Sequence, residues 1–174
     1  MNEALENLLT RRSCRAYEER QILPEELEAI LNAGQYAPTA MGTQSPIIAV
    51  IQDAETIHAL EKLNATVMGN PDAHPFYGAP TVIVVFGNSE SPFCSADANL
   101  VLGNLLNGAN AVGVDSCYVW RARESFESAE GISLKKALNI PDSYVGVGNV
   151  ILGYGKPEGK NAAAPRKPDY IRRI

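Results

Sequence analysis

Ala98-Asn-Leu-Val-Leu-Gly-Asn-Leu-Leu-Asn-Gly-Ala-Asn-Ala-Val-Gly-Val114 contains not one charged residue. Leu102, Leu105, Leu106, Ala109 and Val112 recur at helical spacing as one apolar stripe, while Gly103, Gly108 and Ala111 leave the other faces small. A helix without a charged face is buried on most sides. The chain has 174 residues, 45% of them hydrophobic and 20% charged, which predicts a single domain, 1–174, with one real core. A domain of that size has little material to wrap such a helix, so the stretch predicts a partner subunit. Asn99, Asn104, Asn107 and Asn110 need hydrogen-bond partners there and read as interface polar residues.

Outward from this helix, the pattern alternates between helices and strands. On the amino-terminal side, Thr81 to Phe86 is β-branched and uncharged, a buried strand. Ala65 to Ala79, with Gly69, Pro71, Pro75 and Gly78, reads as a long covering loop. Asp53 caps a helix from Ala54 to about Asn64, preceded by the strand Ile47 to Ile51. Ala37 to Pro46 is a connector whose two prolines and glycine exclude regular structure. Pro24 opens a helix running to about Ala33 or Tyr36, with Leu27, Ile30 and Leu31 as its stripe. A first helix, Asn2 to Thr10, sets Leu5, Leu8 and Leu9 on one side. Beyond the central helix, Cys117 to Trp120 and Tyr144 to Leu152 read as strands, and Ser133 to Leu138 as a short helix. The basic tail, 162–174, is apolar at Tyr170, Ile171 and Ile174, which predicts that it lies against the body or a partner.

Composition narrows the function. A net charge of −5 argues against a nucleic-acid surface. No apolar run reaches the ~20 residues that span a bilayer, and the polar, acidic start is wrong for a targeting peptide. Cys14, Cys94 and Cys117 form no Cys-x-x-Cys pair, which points to free thiols in a reducing cytoplasm. Gly146-Val-Gly148 and Gly153-Tyr-Gly155 lack the third glycine and following helix of a dinucleotide turn. His58 and His74 stand alone. With no triad and no metal cluster, an enzyme built on this chain draws its chemistry from a cofactor.

Arg11-Arg-Ser-Cys-Arg-Ala-Tyr17 places three guanidiniums and a hydroxyl within five residues. Arg grips a phosphate through two parallel charge-assisted bonds. The same residues also suit the negative end of the first helix. Both readings stay open on this stretch alone.

Taken in order, Arg11–Tyr17, Ala37-Pro-Thr-Ala-Met-Gly-Thr-Gln44, Phe76-Tyr-Gly-Ala-Pro80, Asp97, Gly113-Val-Asp-Ser-Cys117, Val150-Ile-Leu-Gly-Tyr-Gly155 and Pro165-Arg-Lys-Pro168 resemble the flavin-dependent nitroreductase family over nearly the whole chain. The resemblance implies an α+β fold, with a mixed central β-sheet wrapped by helices, in an intertwined homodimer with FMN at the interface. It implies that Arg11, Ser13 and Arg166 serve the FMN phosphate and Arg15 the pyrimidine edge, with Arg12 also among the cofactor-binding residues. Pro38, Thr39, Ala40 and Met41 would follow the ring system, Gln44 the ribityl or ring region, and the backbone of Trp120 and Arg121 the flavin N5. No side chain is implied as catalytic. The expected activity is hydride transfer from NADH or NADPH through FMN to a small oxidant, nitroaromatic or quinone-like, in a ping-pong cycle. A flavin protein using oxygen or a specialised substrate, or a cofactor-free dimeric binding protein, are the alternatives. Gly42 stands where an asparagine is frequent, Ala164 where larger members have a lysine, and Trp120 where many have glycine.

Overall fold

Thr81–Asn88 (β2) is buried along all but its last residue. Such a strand is stable only with both sheet faces covered, which two packed layers provide, and it is paired along both edges in the order β1-β2-β4-β3. The partners are Ile47–Ile51 (β1), Asp115–Val119 (β3) and Tyr144–Gly153 (β4). In this computed structural model, which describes residues 2–174, all three strand pairs are antiparallel. The parallel component expected of a mixed sheet is confined to one bridge, Ser13 to Ser116. The chain crosses between strands by helices or long loops rather than by tight hairpins, and the α+β class holds.

Period-2 alternation sends Val82, Val84 and Phe86 to one face and Ile83 and Val85 to the other. On the first face, Leu60, Phe76 and Phe126 complete a core, with Phe86 and Phe126 edge to face at 4.9 Å. Ala54–Val67 (α3), Ala122–Glu127 (α5) and Ala129–Ala137 (α6) form this layer. On the second face, Ile30, Leu102 and Leu105 pack from Pro24–Gln35 (α2) and Cys94–Ala111 (α4). Helix α2 approaches α4 so closely that a Cβ on Gly108 would lie 2.8 Å from that of Ala33. Gly103 faces open space.

Several boundaries differ from the sequence expectation. Helix α4 begins at Cys94, four residues before the charge-free stretch, with no side-chain cap at Phe93 to mark its start. Helix α3 continues to Val67 and shortens the expected loop. Ala40–Gly42 forms one 3-10 turn inside the connector. Helix α5 has no stripe or cap of its own to announce it. Helix α6 starts at Ala129 because Ser128 accepts from Gly131 N at 3.0 Å. Asn104 donates to Ala33 O at 2.9 Å, and Asn110 donates to Asn7 Oδ1 at 2.6 Å. These two asparagines therefore tie α4 to helices of its own chain rather than to a partner. Helix α1, Glu3–Thr10, buries no residue, and Leu5, Leu8 and Leu9 stay exposed. Residues 160–174 are all exposed, so the tail buries none of its apolar side chains within one chain. Among the described residues, no helix is long and apolar enough to cross a membrane.

Candidate functional site

The arginine stretch is threaded as an extended segment between β3 and the chain that leaves β4. Cys14 N donates to Ser116 O at 3.0 Å, and Arg15 N to Gly159 O at 2.8 Å. Cys14 and Tyr17 are the buried anchors, and the Tyr17 hydroxyl donates to Cys14 O at 2.9 Å. Burial pushes the Cys14 thiol and the Tyr17 phenol up from their ordinary values, so both stay neutral. With these two turned inward, Arg15 is exposed and Arg11, Arg12 and Ser13 are half-buried.

The two arginines at the end of α1 divide between the two sequence readings. Arg12 Nη1 donates to Leu9 O at 2.8 Å and Arg11 O at 2.6 Å, so that guanidinium nitrogen caps the helix. Arg11 Nη1 is enclosed and meets no acceptor among the described residues. A buried donor left unmet costs about 1–3 kcal/mol. Close by, Lys160 Nζ reaches both Asp115 oxygens at 2.9 and 3.1 Å, and Gly155 N donates to Asp115 Oδ2. That clamp fixes the point from which the tail, with exposed Arg166, departs.

Pro38, Thr39 and Gln44 line a cleft of about 620 Å³ together with Gly34, Tyr36 and Val101. The turn beneath it is conformationally demanding. Met41 and Gln44 hold φ of 54° and 49°, a region that disfavours side chains, and Gly42 has φ 67°. Thr39 Oγ1 accepts from Gln44 N at 3.0 Å, and Ala40 N donates to Asp97 Oδ1 at 2.9 Å. Asp97 sits in the first turn of α4 and is 3% exposed. The resemblance marked Asp97 only as the start of a helix; its carboxylate in fact pins the turn.

Trp120 and Arg121 line a second cleft of about 230 Å³ with Ser95, Asn99, Tyr118 and Val147. Trp120 is 62% exposed and its ring lies 6.4 Å from that of Tyr118. Arg121 is left-handed at φ 75°, ψ 18°. Two fully buried amides hold the preceding carbonyls: Asn149 Nδ2 donates to Val119 O at 3.1 Å and Asn64 Nδ2 to Trp120 O at 2.7 Å. The sequence reading passed over both asparagines. The expected helix stopped at about Asn64, so nothing in the sequence marked that amide as buried; only the continuation of α3 to Val67 places it inside the helix.

One chain thus keeps the expected site residues in separate places. Pro38, Thr39 and Gln44 share one cleft, and Trp120 and Arg121 share another. Arg11, Ser13 and Arg15 run beside the start of β3, and Arg166 lies in the tail. Ser13 pairs with Ser116, four residues before Trp120, so Ser13 and Trp120 lie about 13 Å apart along the strand direction.

The fold is shared with known proteins. A solved nitroreductase with bound FMN from Bacteroides fragilis superposes with a TM-score of 0.92 at 24% identity, covering 100% of both chains. A second, from Desulfitobacterium hafniense, also with bound FMN, gives a TM-score of 0.86 at 24% identity, covering 100% of this chain and 99% of that one. In sequence, the chain is 30% identical over 182 residues to an Archaeoglobus fulgidus protein provisionally named NADH dehydrogenase/NAD(P)H nitroreductase, covering 99% of this chain and 98% of the relative. A Bacillus subtilis FMN reductase [NAD(P)H] is 23% identical, covering 97% of this chain and 71% of the relative. Residues 8–154 match the sequence profile of the Nitroreductase family, and the chain belongs to that family.

Proposed function

We propose that the chain is an FMN-dependent NAD(P)H oxidoreductase acting as a cytoplasmic homodimer. The observation that carries this reading is Arg11 Nη1, an enclosed cationic donor with no acceptor among the described residues. A phosphate supplies the missing acceptor, and Ser13 and Arg15 flank it on the same extended segment. Arg166 adds a further guanidinium from the exposed tail beyond the Lys160 clamp. The residues present therefore fit an anionic cofactor. Bound FMN would supply the hydride chemistry that links NADH or NADPH to a small nitroaromatic or quinone-like oxidant, in a ping-pong cycle.

The protein's own part is to bind and orient. Pro38, Thr39, Ala40 and Met41 would face the ring system, with Gln44 beside the ribityl or ring region. The Trp120–Arg121 backbone would face N5, and Trp120 would narrow the space above the ring. The first two turns of α4 present Asp97 to the 38–44 turn and Ser95 and Asn99 to the Trp120 cleft. Residues two apart point to different helix faces, so a second subunit is the natural way to bring the two clefts to one cofactor. Exposed Leu5, Leu8, Leu9 and Leu100, with the uncovered tail, supply apolar surface for that subunit.

Arg11→Ala and Arg166→Ala test the phosphate assignment. Losing a charge-assisted bond of roughly 1.5–3 kcal/mol weakens FMN binding about 10- to 100-fold. Unchanged flavin occupancy in both purified variants would contradict the assignment.

A further inference from the structure

We infer that Asn64 and Asn149 are positioning residues that preset the Arg121 peptide N–H at the reacting edge of the cofactor. The inference rests on the FMN reading above and extends it to two residues buried in the core beneath the site.

Three contacts fix the segment from Val119 to Ala122. Asn149 Nδ2 holds Val119 O at 3.1 Å and Asn64 Nδ2 holds Trp120 O at 2.7 Å. On the third side, Gly146 lets Ala122 pass so closely that a Cβ there would lie 2.7 Å from Ala122 O. A carbonyl oxygen can only accept, so each amide must present its NH2 group to it. The consequence is that Oδ1 of both asparagines is buried without a partner among the described residues. An apolar side chain at either position would leave no such orphan. The fold keeps both, and both act on successive carbonyls of one short segment.

Peptide planarity converts that grip into a direction. In a trans peptide the carbonyl and the N–H point opposite ways. The Trp120 carbonyl is drawn toward α3, so the Arg121 N–H of the same peptide is turned away from α3. That other side carries the cleft lined by Tyr118, Val147 and Asn99. Arg121 N meets no acceptor among the described residues. Arg121 itself is left-handed at φ 75°. The result is a free, oriented donor held by side chains that never touch the cofactor.

A donor aimed at N5 satisfies the in-plane lone pair of oxidised flavin, whereas reduced N5 carries a hydrogen and its remaining lone pair, shared with the rings, accepts poorly. It therefore favours the oxidised form, and releasing it raises the midpoint potential. Asn64→Leu removes the grip. Asn64→Asp keeps the shape and donates to Trp120 O only while protonated. With FMN-loaded proteins, the expected result is an FMN Kd within about threefold of wild type for both variants. The redox equilibrium of Asn64→Leu shifts about tenfold, or ~30 mV for a two-electron couple, toward reduced flavin. Asn64→Asp matches wild type at acidic pH and departs from it upward as pH rises. Asn149→Val shifts in the same direction as Asn64→Leu. FMN-loaded variants whose potentials and visible spectra equal those of wild type at every pH overturn the inference while leaving the FMN reading intact. Wild-type protein that takes up no FMN overturns both.

Discussion

Strand β2 draws its burial from apolar side chains adjacent in sequence, whereas Val119–Ala122 is held by amides 30 and 56 positions away. The strand's inner residues have neighbours on both faces and no polar side chain to satisfy until its ends. The segment has a 62% exposed tryptophan, a left-handed arginine and two unmet amide oxygens below it. The first is stable because of what it excludes from water. The second is held in a demanding geometry by contacts that the core must supply. Strain of this kind costs roughly 1–3 kcal/mol per residue and persists only where surrounding structure over-determines it.

Substitutions separate the two regions by size of effect. Ile83→Ala, at a fully buried position of β2, is expected to lose about 2–5 kcal/mol in urea denaturation. A loss under 1 kcal/mol would mean that the sheet is not sandwiched between two packed layers. Gly146→Ala forces a methyl against Ala122 O and is expected to cost about 1–3 kcal/mol. It should also disturb Trp120 fluorescence, because the strain enters at the site segment; unchanged emission would separate β4 from that segment. Asp115→Asn breaks a partly exposed ion pair with Lys160 and is expected to lose less than about 1 kcal/mol. Its clearer sign is faster proteolysis of the tail after Lys160, and an unchanged cleavage rate would remove the clamp from the account.

The same contrast explains what the sequence disclosed. The strand Ile47–Ile51 and the body of β2 were readable because burial imposes a local pattern, and Pro24 and Asp53 marked their helices by cap chemistry. The charge-free α4 was readable as a helix, but the role of its asparagines was not. Asn104 and Asn110 find partners in α2 and α1, a pairing that only the folded topology brings about. Helix α5 was invisible because its six residues depend on neighbours such as Gly131, which leaves room for Ser125 O. Within the site, the Arg11–Arg15 cluster left an anion grip and a helix end both open. That Arg12 turns back to cap α1 while Arg11 keeps a free donor was not legible, because one-residue offsets decide which guanidinium meets the helix end.

The central claim is that the unmet Arg11 donor belongs to a flavin phosphate site. The visible absorption spectrum of the purified protein, followed by acid release and identification of the chromophore, addresses it most directly. The account predicts a yellow protein releasing about one FMN per subunit. A colourless protein that takes up no added FMN would contradict it, and would return the arginine stretch to the end of a helix.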